Sequence, residues 1–186
     1  MSGPAATLGW ATELLDRLGI PHMVVGSFAS SAHGLPRTTQ DIDVVIDPTP
    51  AQLAALLAAI DLERFYVDAD TARDALRRRS MFNVIDMSTG WKLDLVIRKA
   101  TPHAIEELRR RCAGTIAGVQ APLATAEDVI IAKLAWARAG GSERHLTDVA
   151  GILTARGDQL DGGYLERWIA ELDLDDPWQR ARALAT

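Results

Sequence analysis

One cysteine, Cys112, is all the chain has, so no internal disulfide framework is available and a reducing, cytoplasmic setting is expected. No Cys/His cluster has the spacing of a zinc site. Aromatic residues make up only 5% of the 186 positions. The longest unbroken apolar run, Leu53–Ile60, is too short to span a bilayer, so no membrane partner is expected. The opening residues, MSGPAATLGW, lack the basic and apolar regions of a signal peptide. A basic surplus is missing too: the formal charge is −5 and the pI about 5.3. A surface built throughout for nucleic acid is thereby disfavoured. Arginine clusters at residues 77–79 and 109–111, and Arg98–Lys99, are local exceptions, each read as a charged solvated helix face unless they converge on one cleft. Repeats and low-complexity stretches are absent, and the length suits one domain, or one domain with a helical extension.

What the chain does have is a 48% hydrophobic content carried largely by Ala and Leu, which favours helices around a packed core. Leu8, Ala11, Leu14, Leu15 and Leu18 form a helical stripe, closed by Gly19 and Pro21. Thr49, Pro50 and Gln52 predict a capped helix running to about Ile60. A strand at 64–67 and a charged helix at 70–79 follow. Residues 81–86 and 91–97 are two strand patterns joined by a Met87–Gly90 turn. Thr101-Pro102 starts a helix to about Cys112, with Glu106–Arg110 and Glu107–Arg111 spaced for pairing, and a short hairpin turns at Ala117-Gly118. From Thr125 the pattern is helical: a capped stripe of Ile130, Ile131, Leu134 and Ala135, a helix at 143–155 capped by Ser142, then 164–172 and 177–184. Trp136, Trp168 and Trp178 are expected to pack among these helices.

The most informative stretch is His22–Asp47, HMVVGSFASSAHGLPRTTQDIDVVID. An apolar strand leads into Gly26–Ser27, then a small-residue segment that makes about two helical turns from Phe28 to His33. Free N–H groups at such a helix start suit a phosphate. The following strand alternates, with Asp41, Asp43 and Asp47 on one face and Ile42, Val44 and Ile46 on the other. Carboxylates two residues apart repel unless a cation lies between them, and hard divalent cations such as Mg2+ take oxygen ligands. On 91–97 the same parity puts Lys92, Asp94 and Val96 on one face, opposite Leu93, Leu95 and Ile97.

This pattern resembles the signature of the nucleotidyltransferase superfamily that includes DNA polymerase β. In that signature an apolar strand and Gly-Ser are followed, about a dozen residues on, by Asp-x-Asp between apolar residues. A third carboxylate lies on a neighbouring strand. Thirteen residues separate Ser27 from Asp41, and Asp94 supplies the third carboxylate. The segment TAEDVIIAKLAWARAGGSERHLTDVAGIL is similar to the helical motif of uncharacterised nucleotidyltransferases related to the AbiEii/AbiGii toxin group, through Asp128, Lys133, Leu134 and Asp148, with Arg144 one turn before Asp148.

The resemblance implies an α+β fold, a mixed sheet flanked by helices, with an α/β core over residues 1–122 and a C-terminal helical subdomain over 123–186. It implies transfer of a nucleoside monophosphate from an NTP to an acceptor hydroxyl. Asp41, Asp43 and Asp94 would be catalytic and would hold two Mg2+ ions. Gly26, Ser27, Lys133, Arg144 and Asp148 would bind the nucleotide. The acceptor is left open, with RNA or tRNA and a cognate protein partner expected if the chain is toxin-like. Two competing readings are a small acceptor such as an aminoglycoside, and a silent nucleotide- or protein-binding module of antitoxin type. A Lys133–Asp148 ion pair with a snorkelling lysine is the structural alternative for those residues.

Overall fold

A computed structural model of the chain describes residues 3–36 and 38–185. They fall into two compact units: residues 3–28 with Thr38–Ala124, and residues 29–36 with 125–185. The fold is mixed α+β, as the sequence led us to expect.

The first unit contains the sheet. Helix α1 (Pro4–Arg17) presents Leu8, Ala11, Leu14 and Leu15 to the core. Strand β1 (His22–Val24) is followed by helix α2 (Gly26–His33), inside which the boundary between the units falls. That helix begins two residues before the expected Phe28, because Gly26 takes a φ of 62° and turns the chain directly into it. Strand β2 (Asp41–Ile46) leads to α3 (Pro50–Ala59), where Thr49 and Gln52 form the expected reciprocal capping box. Next come β3 (Phe65–Val67), α4 (Ala69–Arg78), β4 (Met81–Asp86), β5 (Lys92–Ile97), α5 (Pro102–Arg110), β6 (Cys112–Ile116) and β7 (Val119–Leu123).

Among the described residues the seven strands run in the order β3-β4-β5-β2-β1-β7-β6. Strand β2 pairs parallel with β5 and β1 parallel with β7, and the other neighbours are antiparallel. In the β2–β5 register Ile42 lies beside Leu93, Val44 beside Leu95 and Ile46 beside Ile97. These buried side chains form one face of the sheet and pack into the core with Phe82, Val84, Leu53, Leu56 and the stripe of α1. Trp10 stacks on Phe65 with ring centroids 3.8 Å apart.

The second unit is helical: α6 (Ala126–Arg138), α7 (Arg144–Arg156), α8 (Gly162–Glu171) and α9 (Asp175–Leu184), with the end of α2. Thr125 caps α6, and Asp161 caps α8. Helix α7 starts at Arg144, one residue later than expected, and the Ser142 hydroxyl accepts its N–H. Residues 29–36 are tied in by Arg156, which donates to the carbonyl of His33, and by the close approach of Gly34 to Ile152. Trp168 is buried, but Trp136 is 65% exposed, against the expectation that it packs among the helices. Helix α5 ends at Arg110, so Arg111 lies past it and donates to the carbonyl of Leu108, while Glu106 faces Arg109. No helix among the described residues is long and apolar enough to cross a membrane.

Candidate active site

The β2–β5 register that buries the apolar face dictates what stands on the other. Asp43 lies beside Asp94 and Asp41 beside Lys92 on adjacent parallel strands, while Asn83 of β4 is opposite Asp94 on its far side. Three carboxylates, one ammonium and one carboxamide therefore share a small area of sheet. Asp41 is half exposed and Asp94 is nearly buried, with side chains 47% and 8% accessible.

Gly26 closes one side of the cluster. Its positive φ brings the backbone so near to Asp43 that a Cβ built there would overlap the Asp43 carboxylate. The Val25 N–H donates to the Asp43 carbonyl at 2.9 Å, and the Ser27 N–H donates to the Asp43 carboxylate. The helix start expected to hold a phosphate is thus turned, in this structure, toward a carboxylate.

Electrostatics follow from this crowding. Burial, then the neighbouring charges of Asp94 and Asp41, push the Asp43 carboxyl above its ordinary value, with Lys92 and the Ser27 N–H opposing. Lys92 shifts upward, foremost through its hydrogen bond to Asp94 and also through Asp41. Its Nζ lies 3.0 Å from Asp94 Oδ2 and 3.3 Å from Asp41 Oδ1. Asn83 donates to the other Asp94 oxygen. Neither Lys92 nor Asn83 was singled out for the site from sequence. The signal for Lys92 was available in its shared face with Asp94, but the pairing of β5 with β2 was needed to bring it to Asp41.

The donor set is all oxygen, the chemistry that Mg2+ takes, and the ammonium between two carboxylates stands where a cation is wanted. Among the described residues no three carboxylate or imidazole side chains converge on a single point that would hold a metal. Asp94 is engaged by Lys92 and Asn83, and Asp43 by the Ser27 N–H. Asp47, expected to share the face of Asp41 and Asp43, follows the end of β2 and pairs with Arg98 at 2.8 Å.

Lys133, Arg144 and Asp148 lie in the second unit. Lys133 is buried and meets Asp148 at 2.5 Å, an ion pair joining α6 to α7. Arg144 is exposed at the start of α7. Asp128, which carries part of the helical motif, accepts from Thr125 and from the Tyr164 hydroxyl, linking α6 to α8.

No family model and no curated protein matches the chain. Solved structures do. An ANT(2")-Ia complex with adenylyl-2"-tobramycin aligns over 92% of this chain and 98% of its own, with a TM-score of 0.59 at 15% identity. An antigenic nucleotidyltransferase-like protein from Paracoccidioides brasiliensis aligns over 96% and 92%, with a TM-score of 0.58 at 16% identity. The lincosamide antibiotic adenylyltransferase LnuA, bound to lincomycin, aligns over 79% and 94%, with a TM-score of 0.54 at 9% identity. The fold is therefore that of nucleotidyltransferases.

Proposed function

We propose that this protein is a Mg2+-dependent nucleotidyltransferase that moves a nucleoside monophosphate from an NTP to an acceptor hydroxyl and releases pyrophosphate. The observation that carries the reading is the placement of Asp41, Asp43 and Asp94 on one sheet face, against a glycine turn that leaves no room for a Cβ. Asp41, Asp43 and Asp94 would hold the metal, which when bound neutralises triphosphate charge and makes the acceptor hydroxyl more acidic. Asp94 is proposed to take the hydroxyl proton. It has the least exposed carboxylate of the pair that Lys92 bridges, so a proton moved there is shielded from water. Gly26 and Ser27 are proposed to present backbone N–H groups to the terminal phosphates once Asp43 turns to the metal. Little covalent work falls to the protein, and rate comes from positioning and charge stabilisation. Lys133, Arg144 and Asp148 are proposed as a second nucleotide-contacting group, in keeping with the resemblance of their helices.

For the acceptor, a small cationic hydroxylated molecule is favoured over RNA. The formal charge is −5, and several of the clustered arginines face acids of the first unit. Arg77 and Arg78 pair with Asp74, Arg98 with Asp47, and Arg109 with Glu106. An aminoglycoside product and a lincosamide occupy two proteins of this fold, which agrees with an acceptor of that class. The test is incubation of purified protein with each labelled NTP, Mg2+, and either an aminoglycoside and lincosamide panel or bulk RNA. Label transferred to a small molecule, and lost in Asp43→Asn, is the expected result. No transfer from any NTP, with no nucleotide binding in Mg2+, would overturn the proposal.

A further inference from the structure

The carboxylate face described above is not left to bare repulsion. Lys92 Nζ is 3.0 Å from Asp94 Oδ2 and 3.3 Å from Asp41 Oδ1, so a single ammonium bridges two of the three carboxylates assigned to the metal. The bridge is built by register: Lys92 lies beside Asp41 on the parallel strand and two residues before Asp94, on the same face. Asn83 holds the other Asp94 oxygen and so fixes the carboxylate toward the ammonium. A divalent cation ligated by Asp41 and Asp94 needs the same wedge of space and the same lone pairs. Two cations do not share it.

We infer that Lys92 is a resident stand-in for the divalent cation, holding Asp41 and Asp94 together in the empty enzyme and giving way when metal arrives. This rests on the metal-dependent reading above and goes beyond it, because it assigns to a non-ligand residue the apo stability of the site and its threshold for metal. Its four-carbon stem lets the head leave without moving β5, since the side chain is 37% exposed. Metal binding is then an exchange of one cation for another. The affinity of the free protein for metal is lowered by the bond that must be broken.

The test is Lys92→Met, which keeps the stem and removes the charge, compared with Lys92→Arg, which keeps the charge. Melting is followed in EDTA and in saturating Mn2+, and Mn2+ binding is measured by calorimetry without nucleotide. Lys92→Met should melt below wild type in EDTA, recover most of that deficit in Mn2+, and bind Mn2+ about tenfold more tightly, as removal of one contacting charge implies. Lys92→Arg should stay near wild type in EDTA and show no gain in Mn2+ affinity. A deficit of equal size in EDTA and Mn2+, with Mn2+ affinity unchanged or weakened, would make Lys92 a plain strut and overturn the inference. Failure of the enzyme reading looks different: wild type and Lys92→Met both bind no Mn2+, with or without NTP, and both proposals fall together. Binding by Lys92→Met where wild type alone shows none supports the exchange.

Discussion

Asp43 and Asp86 show how differently two carboxylates fare in one sheet. Asp43 is crowded by Asp94 and Asp41 as well as buried, so its folded-state pKa is raised. A raised value means that its contribution to stability is fully present below the unfolded value of about 3.9 and is lost as pH rises through the folded value. At neutral pH without metal its charge is therefore a cost. Asp43→Asn should melt no lower than wild type in EDTA at neutral pH, and its advantage should vanish when pH is lowered below about 4. Metal and NTP binding should weaken and transfer should fall by orders of magnitude. If the variant melts several degrees lower in EDTA and still binds Mg2+-NTP, Asp43 is structural. Asp86 is the reverse case. Burial pushes its carboxyl up, but hydrogen bonds from Arg64, the Ser88 hydroxyl and N–H, and Thr7 outweigh it and hold the carboxyl well below the usual range. Its contribution is present above about 3.9 and is lost as pH falls toward the folded value. Asp86→Asn should cost on the order of 2–3 kcal/mol at pH 7, and less in strong acid, read from chemical denaturation at the two pH values. Strand parity and apolar flanks told which face of its own strand each of Asp41, Asp43 and Asp94 occupies, and the family resemblance put Asp94 with the other two. Lys92 at the centre of the cluster was not legible in this way, because its second partner, Asp41, lies on a strand distant in sequence, and parity gives no register.

At the scale of single elements, short-range chemistry was readable and its consequences for the site were not. Thr49 with Gln52 and the Met87–Gly90 turn both follow from contacts that reach only a few residues along the chain. Gly26 was also picked out, as a phosphate turn, but its tightest neighbour is Asp43, far along the sequence. Gly26→Ala must place a Cβ at φ 62° and against that carboxylate. The backbone alone costs about 1–2 kcal/mol, and the overlap adds to it. The expected outcome is a lower melting temperature and loss of metal-dependent NTP binding in the folded protein. An unchanged melt would mean that the turn relaxes freely. Lys133 was read from the α6 pattern as either a phosphate ligand or a packed stem. With its ammonium on Asp148 at 2.5 Å and both side chains largely buried, Lys133→Met removes the charge-assisted bond that ties α6 to α7 at this point. A destabilisation of about 1.5–3 kcal/mol is expected, the worth of one hydrogen bond to a charged group, rather than the smaller change that a surface lysine would give. If nucleotide affinity, measured well below the melting temperature, then falls as well, Lys133 serves both purposes. Affinity unchanged in the folded variant would leave it a strap between two helices.

For the whole molecule, sequence patterns yielded the elements but not the strand order. Nothing local tells β2 to pair parallel with β5 and antiparallel with β1, because those partners are chosen by burial of Ile42, Val44 and Ile46 against strands distant in sequence. The membership of residues 29–36 in the helical unit was hidden for the same reason, since the ties of His33 and Gly34 are to Arg156 and Ile152. Charge, by contrast, is a sum over the chain and needs no fold to be read. A net charge of −5, with arginines mostly paired to nearby acids, attracts a polycation and repels a polyanion over distances of about a Debye length, roughly 10 Å at 0.1 M salt. On the proposed reading, the KM for a small cationic acceptor should therefore rise as salt is increased from about 25 to 250 mM, over which the Debye length shrinks roughly threefold. The NTP is expected to respond less, because its charge is largely matched by the metal it carries. Neutralising the amines of the acceptor by acetylation should raise its KM at low salt and remove most of the salt dependence, with kcat changing less. The comparison uses one protein and one assay, so folding and metal loading cancel. An RNA acceptor captured by local basic residues would also bind more weakly as salt rises, so the acetylation arm separates the two: RNA has no aliphatic amines whose loss would raise its KM. Transfer to RNA with no activity toward any cationic small molecule would show that local charge, not the sum over the chain, selects the acceptor.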